Sequence, residues 1–217
     1  MKGLFIKDCK LLMQQKNFFL LILLVTAGVA VFTEDFIFPV GFASFVASMF
    51  ALTTISYDEF DNGSAFLFCL PVSRRLYVKE KYWFGVAAEC VTWVLSFLLV
   101  LCASLSRHSA SPGEVLLSAL FFLPAAFLLQ ALALPLYLKF GGERGRLAIL
   151  GACGLLLLMG LLAVKLAESL GIDLGALLEQ LSALRMGTLL MAALAAVLLL
   201  WLLSMRISFS IMDRREF

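Results

Sequence analysis

The sequence predicts an all-α integral membrane protein. It has six transmembrane helices, an N-terminal interfacial helix, a cytoplasmic helix between spans two and three, and short external helices between spans five and six. Three observations predict this fold. Hydrophobic residues make up 63% of the 217 and charged residues only 15%, against about 25% charge in a soluble domain. Apolar runs close to the ~20 residues that cross a bilayer fall at 17–32, 36–55, 82–105, 115–138, 147–164 and 186–205. With the N-terminus in the cytoplasm, Lys2, Lys7, Lys10, Lys16, Arg74, Arg75, Lys79, Lys81, Lys139, Arg144, Arg146, Arg206, Arg214 and Arg215 all fall inside. Only Arg107, Lys165 and Arg185 fall outside. Such a skew obeys the positive-inside rule, and miscounting by one span would scramble it.

Residues 1–217 therefore form a single transmembrane domain with no room for a soluble catalytic one. The basic residues flank spans instead of forming a surface, which argues against nucleic acid as a partner. Residues 1–16 lack the continuous apolar core and small-residue cleavage site of a signal peptide. Leu4, Phe5, Leu11 and Leu12 share one helical side, away from Lys7, Lys10 and Gln14. That pattern predicts a helix lying in the cytoplasmic interface, held by apolar burial and by anionic lipid.

Thr33-Glu34-Asp35 forces the chain to surface between spans one and two, because acids are costly in hydrocarbon. Span two carries Ala43, Ala47 and Ala51 with Ser44 and Ser48 alongside, a small-residue face suited to close helix packing. Span four contains Pro124 and Pro135, which predict a kink, with Gln130 between them. Gln130 reads as an amide bonded to a neighbouring helix. Glu89 is the one acid inside a predicted span, and reads either as a functional carboxylate or as one paired with a cytoplasmic Lys or Arg. Tyr57, Tyr77, Tyr82 and Tyr137, with Trp83 and Trp201, fall at cytoplasmic span ends, as interfacial aromatics do; Trp93 lies near mid-span. Residues 165–185 predict two short interfacial or re-entrant helices broken at Gly171 and Gly175. The five cysteines (Cys9, Cys69, Cys90, Cys102, Cys153) include no CxxC, and read as buried small apolar residues.

Catalytic patterns are absent from the sequence. His108 is the sole histidine, so no HExxH zinc site can form. No GxxxxGK[ST] loop is present to hydrolyse ATP. No acidic cluster lies in a span to hold a metal.

The two longer cytoplasmic loops are more informative. The first starts Tyr57-Asp58-Glu59-Phe60, continues through an apolar stretch with Phe66 and Phe68, and breaks at Pro71 before Arg74 and Arg75. Its acidic start suits a helix N-terminus, and Ser73 can cap the helix entering span three. Exposed apolar residues on this short helix call for a partner or lipid. The second loop runs Lys139-Phe140-Gly141-Gly142-Glu143-Arg144-Gly145-Arg146, and its glycines permit a tight turn.

Read together, YDEF…LPVSRRLYVKEKY after span two, PLYLKFGGERGR after span four and the opening MKGLFIKDCKLL resemble the small bacterial type-2 ABC exporter permeases across the whole chain. Gly142 stands where that family pattern has a bulkier residue. The resemblance implies a half-transporter in the bacterial cell membrane, multi-pass, with both termini cytoplasmic. Two copies would enclose the pathway, and two separate ABC ATPase subunits would bind ATP and Mg; this chain would hold no cofactor and catalyse nothing itself.

The same resemblance implies that Tyr57–Leu70 is the main coupling helix. Tyr57, Asp58, Glu59, Phe60, Phe66, Phe68, Pro71, Arg74 and Arg75 would then meet the ATPase, supported by Lys139, Gly141, Glu143 and Arg144. Glu89 and Gln130 would be polar groups of the pathway or the membrane interior. Some relatives export phenol-soluble modulins and others confer resistance to antimicrobial peptides, so amphipathic peptides or lipophilic compounds are the expected cargo. A secondary transporter and a non-enzymatic immunity or scaffold protein are the rival readings.

Overall fold

A computed structural model describes residues 2–33, 37–60, 63–107, 111–169 and 186–215, and all its regular elements are helices. The turn at Glu34 and Asp35, the loop around His108 and the predicted external helices beyond residue 169 lie outside the described residues, as do Asp61 and Asn62. The elements are α1 (Lys2–Gln14), α2 (Lys16–Phe32), α3 (Ile37–Glu59), α4 (Gly63–Cys69) and α5 (Arg74–Arg107). A helical run over Pro112–Ser169 follows, broken at Gly141, where φ is 81° and ψ 175°. Its two apolar arms are α6 (Pro112–Gly142) and α7 (Arg144–Leu166), and α8 (Met186–Asp213) completes the chain.

Among the described residues, five helices are long and apolar enough to cross a membrane, and six if α1 and α2, which meet at 65°, count as one broken span. The 17 residues of α2 extend about 25 Å at 1.5 Å per residue. The 34 residues of α5 extend about 50 Å, well beyond a ~30 Å hydrocarbon core. Its polar first turns, from Arg74 to Lys81, therefore project past the lipid.

The innermost helix is α3. In its apolar window 67% of residues are buried, against none in α7. Ala43, Ser44, Ala47, Ser48 and Ala51 are all buried, so the small face predicted for span two is the face on which α5 and α6 pack. Two clusters fill the bundle. One gathers Leu52, Ile55, Val78, Leu134, Leu138 and Met212 at the end near α4; the other gathers Ala30, Val40, Val100 and Val115 near the opposite end.

Several expectations change on this scaffold. Tyr82 is not an interfacial ring. It is fully buried, because its hydroxyl is satisfied inside the bundle by Ser204 at 2.6 Å and Ser208 at 2.8 Å. Tyr77 and Tyr137 are buried too, and of the four tyrosines only Tyr57 is exposed. Trp93 sits deep in the span because its indole N–H donates to the Ala119 carbonyl at 2.9 Å. Pro124 and Pro135 both lie within α6, and the only non-helical backbone in that run is at Gly141. The cysteines are all free, but Cys69, Cys90, Cys102 and Cys153 are exposed instead of buried. On α1 the buried residues are Leu4, from the predicted apolar side, and Asp8, while Phe5 stays exposed and touches Phe84 edge-on.

Candidate functional site

The acidic pair Asp58-Glu59 closes α3 instead of opening the next helix. Carboxylates at a helix C-terminus oppose the helix dipole, so the preference expected from the local sequence is reversed. Tertiary cations supply the reason. Asp58 pairs with Lys7 of α1 and with Lys81 of α5 at 2.8 Å, and accepts the Tyr77 hydroxyl at 3.0 Å. Lys81 also reaches Asp8 at 2.5 Å and the Thr54 hydroxyl at 3.0 Å, and Lys7 lies 3.1 Å from Asp8. Two cations and two anions therefore close a ring that joins α1, α3 and α5, and the buried carboxyl of Glu80 lies within electrostatic reach of all four. The side chains of Asp8 and Lys81 are wholly buried, so each depends on the others for solvation. Burial pushes the Lys7 ammonium down, but Asp58 and then Asp8 outweigh it, and its pKa lies above the ordinary lysine value.

Glu59 anchors a second knot. Its Oε2 accepts the Gly142 N–H at 2.6 Å, and its Oε1 lies 2.9 Å from Arg215 beyond the end of α8. Arg215 also donates to the Leu138 carbonyl at 2.9 Å. The backbone can turn here only through glycines. The angles at Gly141 are reached almost solely by glycine. A Cβ on Gly142 would come within 2.9 Å of the Ser56 Cα. A side chain at position 142 cannot fit against this close approach of α3.

Arg74 donates to the carbonyls of Met212 and Asp213, at 3.3 and 3.1 Å, covering the C-terminal end of α8. Arg75 pairs with the Asp213 carboxylate at 2.9 Å, on the surface. The ends of α1, α3, α5, α6 and α8 are thus tied together at one end of the bundle.

Only Gly63–Cys69 forms the separate helix expected over Tyr57–Leu70, since Tyr57-Asp58-Glu59 belong to α3. The seven-residue α4 is fastened to the end of α3, with the Ser64 hydroxyl donating to the Asp58 backbone carbonyl at 3.1 Å. Its Leu67 and Phe68 pack on the buried cluster, with Phe68 edge-on to Tyr77 at 5.6 Å. Phe66, at 73% exposed, points outward with Phe60 and Leu70. The two phenylalanines predicted together thus have opposite roles. Pro71 lies exposed in the turn that follows, and the Ser73 hydroxyl accepts the Leu76 N–H at 3.2 Å, the cap expected there. Tyr57 is exposed and accepts from Gln15, at the α1–α2 elbow, at 2.7 Å. Lys139 is exposed and lies over the Phe140 ring, Arg144 is exposed, and the Glu143 side chain lies outside the description.

Glu89 and Gln130 lie deeper in the bundle than the ion ring, Glu89 about two turns along α5 from Lys81 and Gln130 against Tyr82, the residue after Lys81. Glu89 is fully buried and has no ion pair among the described residues, which corrects the expected Lys or Arg partner; one oxygen accepts the Ser48 hydroxyl at 2.6 Å. Seven residues into the span, it is too deep to reach the cations near Lys81. Gln130 bonds a neighbouring helix as expected, donating to the Tyr82 carbonyl at 3.1 Å beside Gly85. No group of His, Cys, Asp and Glu among the described residues could hold a metal.

The sequence reading missed Lys7, Asp8, Lys81 and Arg215. The spacing of Leu4 and Asp8, one turn apart, was the only signal that Asp8 faces inward. Residues 3–213 match the family model described as ABC-2 family transporter protein. No curated protein and no solved structure matches.

Proposed function

This chain belongs to the ABC-2 family of transporter proteins, and from that premise we propose that it is the permease subunit of an ATP-driven exporter. Two copies form the translocation pathway in the bacterial cell membrane, with both termini and α4 on the cytoplasmic side. Two separate ATPase subunits bind ATP and Mg. The observation that carries the reading is α4: an outward-pointing Phe66, 73% exposed, on a short helix whose Ser64 hydroxyl donates to the backbone carbonyl of Asp58, a member of the ion ring.

Phe60, Phe66 and Leu70 give the ATPase something to grip, while Phe68 holds α4 to the bundle. When the ATPases close on ATP, α4 moves, and Asp58 passes that displacement to α1 through Lys7 and to α5 through Lys81. Glu59, Gly141 and Arg215 link the same movement to α6, α7 and α8, with Lys139, Glu143 and Arg144 beside them. Switching requires that this network be arranged differently in the inward-open and outward-open states.

Amphipathic peptides or lipophilic compounds are the proposed cargo. An apolar crevice of about 530 Å³ between α1, α2 and α5, lined by Phe5, Phe19, Phe84 and Val91, supports this chemistry. The test is reconstitution with an ATPase encoded beside the gene, comparing ATP turnover for the wild type and Phe66→Ala. Stimulation by the wild type that is lost in Phe66→Ala supports the reading. An ATPase indifferent to the permease overturns it and favours a secondary transporter, in which Glu89 would be the coupling carboxylate.

A further inference from the structure

Among the residues at the ion-tied end, Arg144 and Arg146 open α7, are exposed, and have no hydrogen-bond or ion-pair partner among the described residues. They line a groove of about 590 Å³ with Arg215, Glu59, Ser56 and Phe140. Among the described residues, Glu59 is the only acid lining it, and that carboxylate is already engaged by Arg215 and the Gly142 N–H. The groove therefore offers two uncommitted guanidinium groups, which bind phosphate through paired N–H donors.

What adjoins the groove identifies the ligand. The helix beginning at Arg144 buries none of its apolar window, and Leu147 and Leu150, within its first two turns, are 71% and 70% exposed. A phosphate held at Arg144 and Arg146 would have an acyl-chain bed directly along α7. We propose that this groove is a site for the headgroup of an anionic glycerophospholipid from the adjoining leaflet, with its chains lying against α7. Basic pockets at a membrane-facing helix end bind such headgroups. An acidic protein segment would match the charge but leave Leu147 and Leu150 unused. A lipid here would fix the α6–α7 break, and through Glu59 the end of α3, whether or not α4 couples to an ATPase.

Native mass spectrometry tests this, using the full chain released from nanodiscs with equal phosphatidylglycerol and phosphatidylcholine. The wild type should retain phosphatidylglycerol in excess. The double variant R144Q/R146Q, altered only at exposed positions, should lose that excess by about tenfold or more. R144K/R146K should keep most of it. K79Q/R206Q, which removes equal charge at exposed positions of α5 and α8, should leave it unchanged, and millimolar inorganic phosphate should not displace the lipid. Four results overturn the proposal: no excess in the wild type, an excess that survives R144Q/R146Q, equal loss in K79Q/R206Q (diffuse surface charge), or displacement by inorganic phosphate (a small-anion site).

Discussion

Asp58→Ala should destabilise the bundle more than any surface substitution nearby. Its carboxylate faces two cations and a phenol, from three positions on α1 and α5. Removing one member of a buried ion pair costs about 3–5 kcal/mol, because the partner is left charged without solvent. Lys81 is wholly buried but keeps Asp8 at 2.5 Å and the Thr54 hydroxyl at 3.0 Å, which places the loss at the low end, about 3 kcal/mol. Tyr77 loses its acceptor as well, and a buried hydroxyl left unpaired adds about 1 kcal/mol. Thermal or denaturant unfolding of the purified chain in mild detergent reads this. Double-mutant cycles then separate ring from bulk: Asp58→Ala with Lys81→Met should show coupling of about 1 kcal/mol or more, since the second change removes the stranded charge. Additive effects, or an Asp58→Ala chain as stable as wild type, would refute a ring that shares its charges. Asp213→Ala is the control, because its pair with Arg75 lies at the surface and should change unfolding little.

Other substitutions probe the remaining joints. Gly141→Ala should cost about 1–3 kcal/mol, because a side chain at φ 81° and ψ 175° is strained whatever the space around it. Gly142→Ala should cost a similar amount by a different route, pushing α6 off Ser56, and a smaller Ser56→Gly in the same chain should recover part of it. Tyr82→Phe should lower stability by about 1–2 kcal/mol, as Ser204 and Ser208 each lose a partner. Phe66→Ala should leave unfolding unchanged while abolishing stimulation of the ATPase, a split that Phe68→Ala, which also unpacks Tyr77, should not show.

Periodicity and composition made the bundle legible, and long-range charge pairing hid the site. The small face of α3 could be read because alanine and serine at helical spacing have one efficient use in lipid. The Pro71–Ser73 junction could be read because capping is local. The role of Asp58-Glu59 could not. A dipole argument weighs only the helix itself, and here it is overridden by Lys7, Lys81 and Arg215 from elements far away in sequence. The inward turn of Asp8 on α1 was missed for a related reason: nothing in its local sequence shows that Lys81 lies opposite. Tyr82 looked interfacial because a tyrosine at a span end usually is, and two serines from α8 changed its setting. Phe66 and Phe68 could not be told apart, since which face of a seven-residue helix packs inward depends on Tyr77 beside it.

The direct measurement is the reactivity of a single cysteine at Ser64, on a chain stripped of its five native cysteines. Labelled with a membrane-impermeant maleimide, it should react in inside-out vesicles and not in intact cells, and its reaction should slow when the ATPase subunit is bound. Labelling from outside intact cells, or an unchanged rate with the ATPase present, would contradict a permease gripped at α4.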